Sequence, residues 1–318
     1  MSVIPEVHGV LNINKPAGMT SHDVVDAVRK ILGVRRVGHT GTLDPQATGV
    51  LPLCVGRATR IAQYLTQADK EYVMTLRLGV TTDTLDATGK EMTRVEEVRV
   101  GREEFLAILE RFVGEIRQVP PLFSAKKVHG ERLYRLARRG EQVERQPVTV
   151  RIYALELLEF ASPFATLRMS CSKGTYARSL CDDIGRALGC GGHLHTLTRT
   201  RSGRFNMDGI LTLEELERRV REGRLHEVLI PVADALAHLP AARVAPEAGR
   251  LILHGNDLTA AVVVQFPAGV SRGALVRVLG YRKQLLSLAE TTVASPEFST
   301  LEPTRPVLHP VRVFSGAA

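Results

Sequence analysis

Two stretches far apart in the chain alternate apolar and polar residues. "EYVMTLRLG" sets Tyr72, Met74, Leu76 and Leu78 on one face, and "FATLRMSCS" sets Ala165, Leu167, Met169 and Cys171 against Thr166, Arg168 and Ser170. A period of two with one apolar side marks strands that bury one face. The second stretch then runs through a glycine turn into "KGTYARSLCDDIGRALG", where Ala177, Leu180, Cys181, Ile184 and Leu188 recur at helical spacing before Gly189. Strand, turn and helix in succession put Tyr176 and Arg178 near a helix start.

Other segments extend this mixed α and β pattern. "MTSHDVVDAVRKILGV" offers Thr20 or Ser21 as an N-cap, then Val24, Val25, Val28, Ile31 and Leu32 at helical spacing, then Gly33. "ATRIAQYLTQA" and "EEFLAILERFV" (103–113) read as helices, and Thr212 opens another with a Thr-x-x-Glu capping box. Between 120 and 150 lies a basic excursion that begins with a double proline and carries Lys126, Lys127, Arg132, Arg135, Arg138, Arg139 and Arg145. An Ala- and Pro-rich stretch at 231–246 gives way to short β-like runs, "GALVRVLGY" and "QLLSLAE", which places a domain boundary near 240. The expected organisation is a mixed domain, 1–240, followed by a small β-rich one, 241–318.

Charge narrows the partners. The 318 residues hold 42 Lys and Arg against 34 Asp and Glu, a net +8 with a pI near 9.6, which draws a chain toward a polyanion. With 44% hydrophobic and 24% charged residues the composition is that of a soluble globular protein. No apolar run reaches the ~18 residues of a membrane span, and "MSVIPEVHGV" lacks the regions of a signal peptide, so the expected location is the cytoplasm. Cys54, Cys171, Cys181 and Cys190 are too irregularly spaced for a disulfide framework. Cys190, His193 and His195 form only a weak zinc signal without a second ligand pair. The glycine-bearing stretches "GHTGTLDPQATG", "CSKGTY" and "GCGGH" fit neither the phosphate loop nor the dinucleotide fingerprint, and "DTLDATG" lacks the ligand pattern of a calcium loop.

"GHTGTLDPQATGVLP" (38–52) contains a lone carboxylate, Asp44. A pair of carboxylates would need Asp83 or Asp86, separated from it by a helix and a strand, and that pairing stays open. Alone, Asp44 would act as a nucleophile or base, which requires that it stay ionised and be held by a cation such as Arg178. Aspartate before Pro45 and between glycines equally composes a simple turn.

Set side by side, "GVLNINKPAGMTSHDVV", "RRVGHTGTLDPQATGVLPLCVGRATR", "EYVMTLRLGVTTDTLDATG", "CSKGTYARSLCDDIGRALGCGGHL" and "LTRTRSGRF" resemble, in order and spacing, the TruB family of tRNA pseudouridine-55 synthases. The resemblance implies an α+β fold: a catalytic domain on a mixed, mainly antiparallel sheet, with a β-rich C-terminal PUA-like RNA-binding domain. It implies isomerisation of uridine 55 in the T-loop of tRNA, with no metal or redox cofactor. Asp44 would be the catalytic carboxylate, acting at C1′, C6 or C2′. Tyr72 would stack on the flipped uracil and take the C5 proton, and Arg178 would pair with Asp44. His39 would insert into the T-loop, and Lys15, Pro16, Tyr176, Leu197 and Arg199 would shape the site or touch the RNA. The excursion at 120–150, with Lys126 and Lys127, corresponds to a thumb-like insertion closing over the T-arm. A monomer without an obligatory protein partner or membrane association is expected. The rival readings are a guide-RNA-dependent synthase subunit and a tRNA-folding module without chemistry.

Overall fold

The computed structural model describes residues 7–124, 127, 128, 131–133, 136, 139, 141 and 144–314. The strands, in chain order, begin with β1 (Gly9–Lys15), β2 (Val37–His39), β3 (Thr48–Val55), β4 (Lys70–Leu78), β5 (Val80–Thr82), β6 (Glu91–Arg94), β7 (Gly114–Gln118), β8 (Lys127–Val128) and β9 (Glu131–Arg132). They continue with β10 (Val148–Ala161), β11 (Phe164–Cys171), β12 (Gly192–Ser202), β13 (Ala241–Val244), β14 (Leu258–Thr259), β15 (Val263–Gln265), β16 (Leu275–Leu279), β17 (Leu285–Thr291) and β18 (Pro306–Val313). The helices are α1 (Ser21–Leu32), α2 (Ala62–Thr66), α3 (Arg102–Glu110), α4 (Ala177–Ala187), α5 (Leu213–Arg221), α6 (Val232–Ala235) and α7 (Ala248–Leu253). None of these helices is long and apolar enough to cross a membrane.

The chain divides into two compact units: Leu11–Leu53 with Ala62–Leu225, and Met1–Val10 with Cys54–Ile61 and His226–Ala318. Residue 240 lies inside the latter.

The main sheet runs β1-β3-β12-β4-β11-β10-β7, with β2 beside β3. β4 pairs antiparallel with both neighbours, and β11, β10 and β7 continue antiparallel, whereas β12 and β3 run parallel. The architecture is mixed and mainly antiparallel. The alternation read from the sequence is what folds: Tyr72, Met74, Leu76 and Leu78 of β4 and Ala165, Leu167, Met169 and Cys171 of β11 all point into one core. That core also takes Ala177, Leu180, Cys181 and Ile184 of α4 and, from the Asp44 loop, Leu43 and Ala47. Burying each large apolar side chain contributes about 1.5–3 kcal/mol, so the apolar neighbours of the loop hold it to the sheet. Register places Tyr72 opposite Met169 on one side and Arg199 on the other.

Local signals set the helix ends. Thr20 is the N-cap of α1, accepting from Asp23 N at 3.0 Å while Asp23 Oδ2 accepts from Thr20 N at 2.7 Å, and Gly33 closes the helix at φ 66°. Thr212 caps α5 by accepting from Glu215 N. Each such cap stabilises by about 1 kcal/mol. Two helices are shorter than their apolar spacing implies. "ATRIAQYLTQA" becomes a 3-10 turn, Gly56–Ile61, before α2, and Thr59 Oγ1 donates to the Gly56 carbonyl, which suits tighter winding. α3 stops at Glu110 because Phe112 N turns back to the Leu109 carbonyl and Gly114, at φ 100°, redirects the chain into β7.

The second sheet runs β14-β18-β17-β16-β13-β15, antiparallel apart from β13 with β16. Val276, Val278, Ala289, Val307 and Leu308 pack with Ala248 and Ile252 of α7 in its core.

The parallel contact of β3 with β12 depends on Gly49. Its φ is 97°, and a Cβ there would lie 2.3 Å from the Arg199 carbonyl oxygen. Gly49→Ala is expected to lower unfolding stability by about 2 kcal/mol or more, read from the urea midpoint at constant slope; an unchanged midpoint refutes the steric account.

Candidate active site

Asp44, Tyr72, Tyr176, Arg178, Leu197 and Arg199 line one pocket of about 460 Å3. They come from the loop after β2, from β4, from the start of α4 and from β12. The sheet register and the strand–turn–helix at 164–187 bring them together.

Arg178 is the hub. Its Nε lies 2.9 Å from Asp44 Oδ2, its NH2 donates to Asp44 Oδ1 at 3.1 Å and to the Phe123 carbonyl at 2.9 Å, and its NH1 donates to the Thr84 carbonyl at 3.2 Å. The guanidinium is 6% exposed, whereas the Asp44 side chain keeps 39% of its surface open to the pocket. A two-point arginine–carboxylate pair fixes both position and charge. Burial pushes the Asp44 carboxyl above its ordinary range, the Arg178 charge pulls it back, and Asp86 pushes it up again.

Asp86 is the residue that sequence reading left undecided. Its Oδ2 lies 3.6 Å from Arg178 NH1, so one arginine serves two carboxylates. Its other oxygen accepts from Thr84 Oγ1 at 2.8 Å, Thr88 N at 3.0 Å and Thr88 Oγ1 at 2.6 Å. The preceding Leu85 has φ 63°, rare for a branched residue. The signal was available: "TLDPQATG" and "TLDATG" repeat Thr-Leu-Asp and Ala-Thr-Gly, with Asp44 and Asp86 in corresponding places. Asp83 sits elsewhere, accepting from Lys90 N at 2.8 Å within its own turn.

The Asp44 loop is anchored from below. Lys15 Nζ donates to the carbonyls of Pro16, Pro45 and Ala47 at 2.9, 2.8 and 2.7 Å. Ser21 Oγ donates to Leu43 O at 3.1 Å and accepts from Leu43 N at 2.8 Å, and Gly18 N donates to Pro45 O. Lys15 has 0% exposure, and burial pushes its ammonium down to about 8. Of the two roles the resemblance implies for Lys15, shaping the site and touching RNA, this geometry is the first: with no exposed surface and three carbonyls around it, the ammonium is an internal strut. Pro16 is exposed, and its carbonyl is one end of that strut.

Arg199 lines the pocket, the first of the two roles the resemblance implies for it. It is 1% exposed, and its Nε and NH2 donate to the carbonyls of Val50 (2.7 Å) and Gly41 (3.1 Å), so it forms pocket wall. Its guanidinium lies against Tyr72 and opposes the burial that pushes the phenol's pKa up. Lys70, which sequence reading passed over, also lines the pocket; it donates to the carbonyls of Thr66 and Ala68, and burial pushes it down to about 8.

Tyr176 is the N-cap residue of α4, and Gln118 holds its backbone at both N (3.0 Å) and O (3.3 Å). Ser179 Oγ donates to the Val119 carbonyl at 2.8 Å. With the Arg178 bond to Phe123, these contacts pin the base of the basic excursion to the start of α4. Within that excursion Arg139 pairs with Glu131 and Glu141, Lys127 lies in β8, and Lys126 lies outside the described residues. His39 ends β2 half-buried, outside the pocket lining, and its Nδ1 accepts from Gly41 N at 3.3 Å. His193 faces the Val80 carbonyl at 2.8 Å, and among the described residues no cluster of three His, Cys, Asp or Glu is placed to hold a metal.

Residues 29–177 match the model for the TruB family pseudouridylate synthase N-terminal domain, and 178–237 match that for the tRNA pseudouridylate synthase B C-terminal domain. The tRNA pseudouridine synthase B of Pseudomonas paraeruginosa is 44% identical over 289 residues, 90% of this chain and 92% of that protein. That of Symbiobacterium thermophilum is 49% identical over 79% of this chain and 83% of that protein. The chain belongs to the TruB family of pseudouridylate synthases. Among solved structures, an H/ACA ribonucleoprotein bound to a substrate RNA containing 2′-deoxyuridine aligns with TM-score 0.78 and 30% identity over 97% of this synthase and 85% of that chain. A Cbf5-Nop10-Gar1 complex aligns at 0.76 and 32%, over 96% and 84%.

Two outcomes follow for the synthase. Arg178→Met removes the cation that lowers the Asp44 pKa and leaves burial and Asp86, which raise it, so the acid limb of the kcat/KM profile is expected to move up by about 1–3 pH units. An unmoved limb detaches Arg178 from Asp44. Lys15→Met keeps the volume but frees the carbonyls of Pro45 and Ala47, and kcat is expected to fall about 10–100-fold while KM changes less than about twofold. A rise in KM alone would return Lys15 to substrate binding.

Proposed function

We propose that this pseudouridine synthase isomerises uridine 55 in the T-loop of tRNA, acting as a monomer in the cytoplasm without a guide RNA or obligatory protein partner. The observation that carries the reading is Asp44, open to a pocket walled by Tyr72 and clamped in two places by buried Arg178. A base inside a folded RNA must leave its stack to enter such a pocket. His39, beside the Asp44 loop, helps hold the RNA open.

Once the uridine is flipped, Asp44 acts on it, the N1–C1′ bond breaks, the base turns and C5 bonds to C1′. The proton on C5 then leaves and N1 gains one, so atoms balance without an external reactant. Arg178 keeps Asp44 ionised in a site whose burial favours the neutral acid. Tyr72 stacks on the uracil and takes the C5 proton, and the Arg199 guanidinium beside it favours the developing phenolate. Residues 241–318, as a PUA-like domain, and the basic excursion supply phosphate contacts whose strength falls with salt. The curated relatives at 44–49% identity are named tRNA pseudouridine synthase B, and the ribonucleoprotein structures stand at 30–32%, which favours the stand-alone reading.

The test is to incubate the purified protein with unmodified tRNA and T-arm hairpin transcripts and to map pseudouridine chemically. Product is expected at the T-loop uridine without any added RNA; its absence there overturns the proposal. Asp44→Asn is expected to lower kcat by at least about 10³-fold while tRNA affinity stays within about threefold. Tyr72→Phe keeps the ring but loses the proton acceptor, so binding persists and turnover falls; full activity in the variant removes the base role from Tyr72.

A further inference from the structure

The Asp44 pocket carries more positive charge than its carboxylate answers. Its lining includes Lys70, Lys173, Arg178 and Arg199, and among the described residues its one acid is Asp44. Arg178 is bound to Asp44, whereas Lys70 and Arg199 donate to main-chain carbonyls and Lys173 to the side-chain carbonyl of Gln67. Burial pushes the Lys70 ammonium down to about 8, with Arg199 and Lys173 adding to the push and Cys171 and Asp69 opposing it. Asp69 stands outside the lining, where its carboxylate accepts from the Tyr153 hydroxyl at 3.1 Å. Uracil is neutral, so the base does not match the surplus charge. The anion that accompanies a nucleotide is its phosphodiester.

Of the four cations, Lys173 is the exposed one. It lies in the turn between β11 and α4, next to Gly174 at φ 82°. The turn is fixed at its base: Ser172 N donates to the Arg151 carbonyl at 2.8 Å, Ser172 Oγ accepts from Arg151 N at 2.9 Å, and Thr175 Oγ1 donates to the Ser172 carbonyl at 3.0 Å. Gln67, the present partner of Lys173, comes from the loop after α2. A carboxamide brings an ammonium no opposite charge, whereas a phosphate oxygen does, so a phosphate at this point takes the place of Gln67. Lys173 and Arg178 also belong to one short segment, "KGTYAR". The ammonium that faces outward and the guanidinium that holds Asp44 are therefore mounted on the same turn and helix start.

We propose that Lys173 is a positioning residue of the isomerisation: its ammonium takes a phosphate adjoining the flipped uridine and so holds the ribose in place while the detached base turns. Lys70, bonded to the Thr66 and Ala68 carbonyls, adds positive potential from within the wall. The anchor matters at one step. Between cleavage of N1–C1′ and formation of C5–C1′ no bond joins sugar to base, and C1′ must stay where the turned base can reach it. The inference rests on the uridine isomerisation proposed above.

The test uses three T-arm hairpins: one with an ordinary backbone, one with an uncharged methylphosphonate on the 5′ side of the T-loop uridine, and one with it on the 3′ side. On the ordinary hairpin Lys173→Gln is expected to lower kcat/KM about tenfold and to flatten its log–log salt dependence by about 0.7. Lys173→Arg keeps the charge and is expected to stay within about threefold of the unaltered protein. On one methylphosphonate hairpin Lys173→Gln is expected to cost less than about twofold, because the charge it would have met is gone, and that hairpin identifies the phosphate. A loss that persists undiminished on both, or no loss on the ordinary hairpin, overturns the proposal. Fluorescence anisotropy of the same hairpins, with Lys173→Gln made in the Asp44→Asn background, repeats the comparison without turnover. If the unaltered protein forms no pseudouridine the isomerisation reading fails, while this binding comparison still decides whether Lys173 meets a phosphate.

Discussion

The pairing of Arg178 with Asp44 is the contact on which the rest of the first unit converges. A carboxylate in a protein concavity loses hydration and reverts to its neutral acid unless a cation compensates. Arg178 compensates from a position it cannot leave, since Phe123 and Thr84 take two of its donors through their carbonyls and Asp86 lies beside NH1. The loop at 44, the turn at 84–86 and the base of the excursion at 123 all meet one guanidinium at the start of α4. The groups that fix the charge of Asp44 also fix its place.

A second theme is the use of buried cations as struts. Lys15, Lys70 and Arg199 carry charges that surface lysines and arginines would offer to RNA phosphates, yet their donors meet main-chain carbonyls behind the pocket wall. Loops such as 41–49 cannot satisfy their carbonyls within a regular ladder, and a buried carbonyl needs a donor. An ammonium bonds several at once, which explains how an irregular loop holds one shape around Asp44. The cost is visible in Lys15 and Lys70, both pushed down to about 8 by burial.

Much of this was legible in the chain, and what escaped has a common cause. Period-two alternation specified the buried faces of β4 and β11, and capping chemistry specified the start of α1, because both are local patterns. The quoted motif blocks led to Asp44, Tyr72 and Arg178, which the structure gathers in one pocket. For Lys15 and Arg199 the motif blocks left shaping the site and touching RNA both open, because a basic residue in a basic protein reads either way until burial is known. The choice between Asp83 and Asp86 stayed open because the partnership of Asp86 with Arg178 spans a fold that no local spacing encodes, although its Thr-Leu-Asp setting repeats that of Asp44. Ser21, a plausible cap by composition, instead clamps Leu43 through both backbone groups, while Thr20 does the capping.

Sharing Arg178 between two acids bears on how reactive Asp44 can be. An arginine devoted to one carboxylate would hold its pKa low and, by the same stabilisation, blunt it as a nucleophile or base. Asp86 draws part of that charge, and its repulsion joins burial in raising the Asp44 pKa. The two-point contact with Arg178 and the backbone contacts of the loop meanwhile hold that carboxylate in one place. Asp86 is itself held by Thr84 and Thr88, so its distance from Arg178 is set by a turn outside the lining of the Asp44 pocket. The turn at 84–89 thus bears on the Asp44 charge without touching it, through Asp86 and the guanidinium the two carboxylates share.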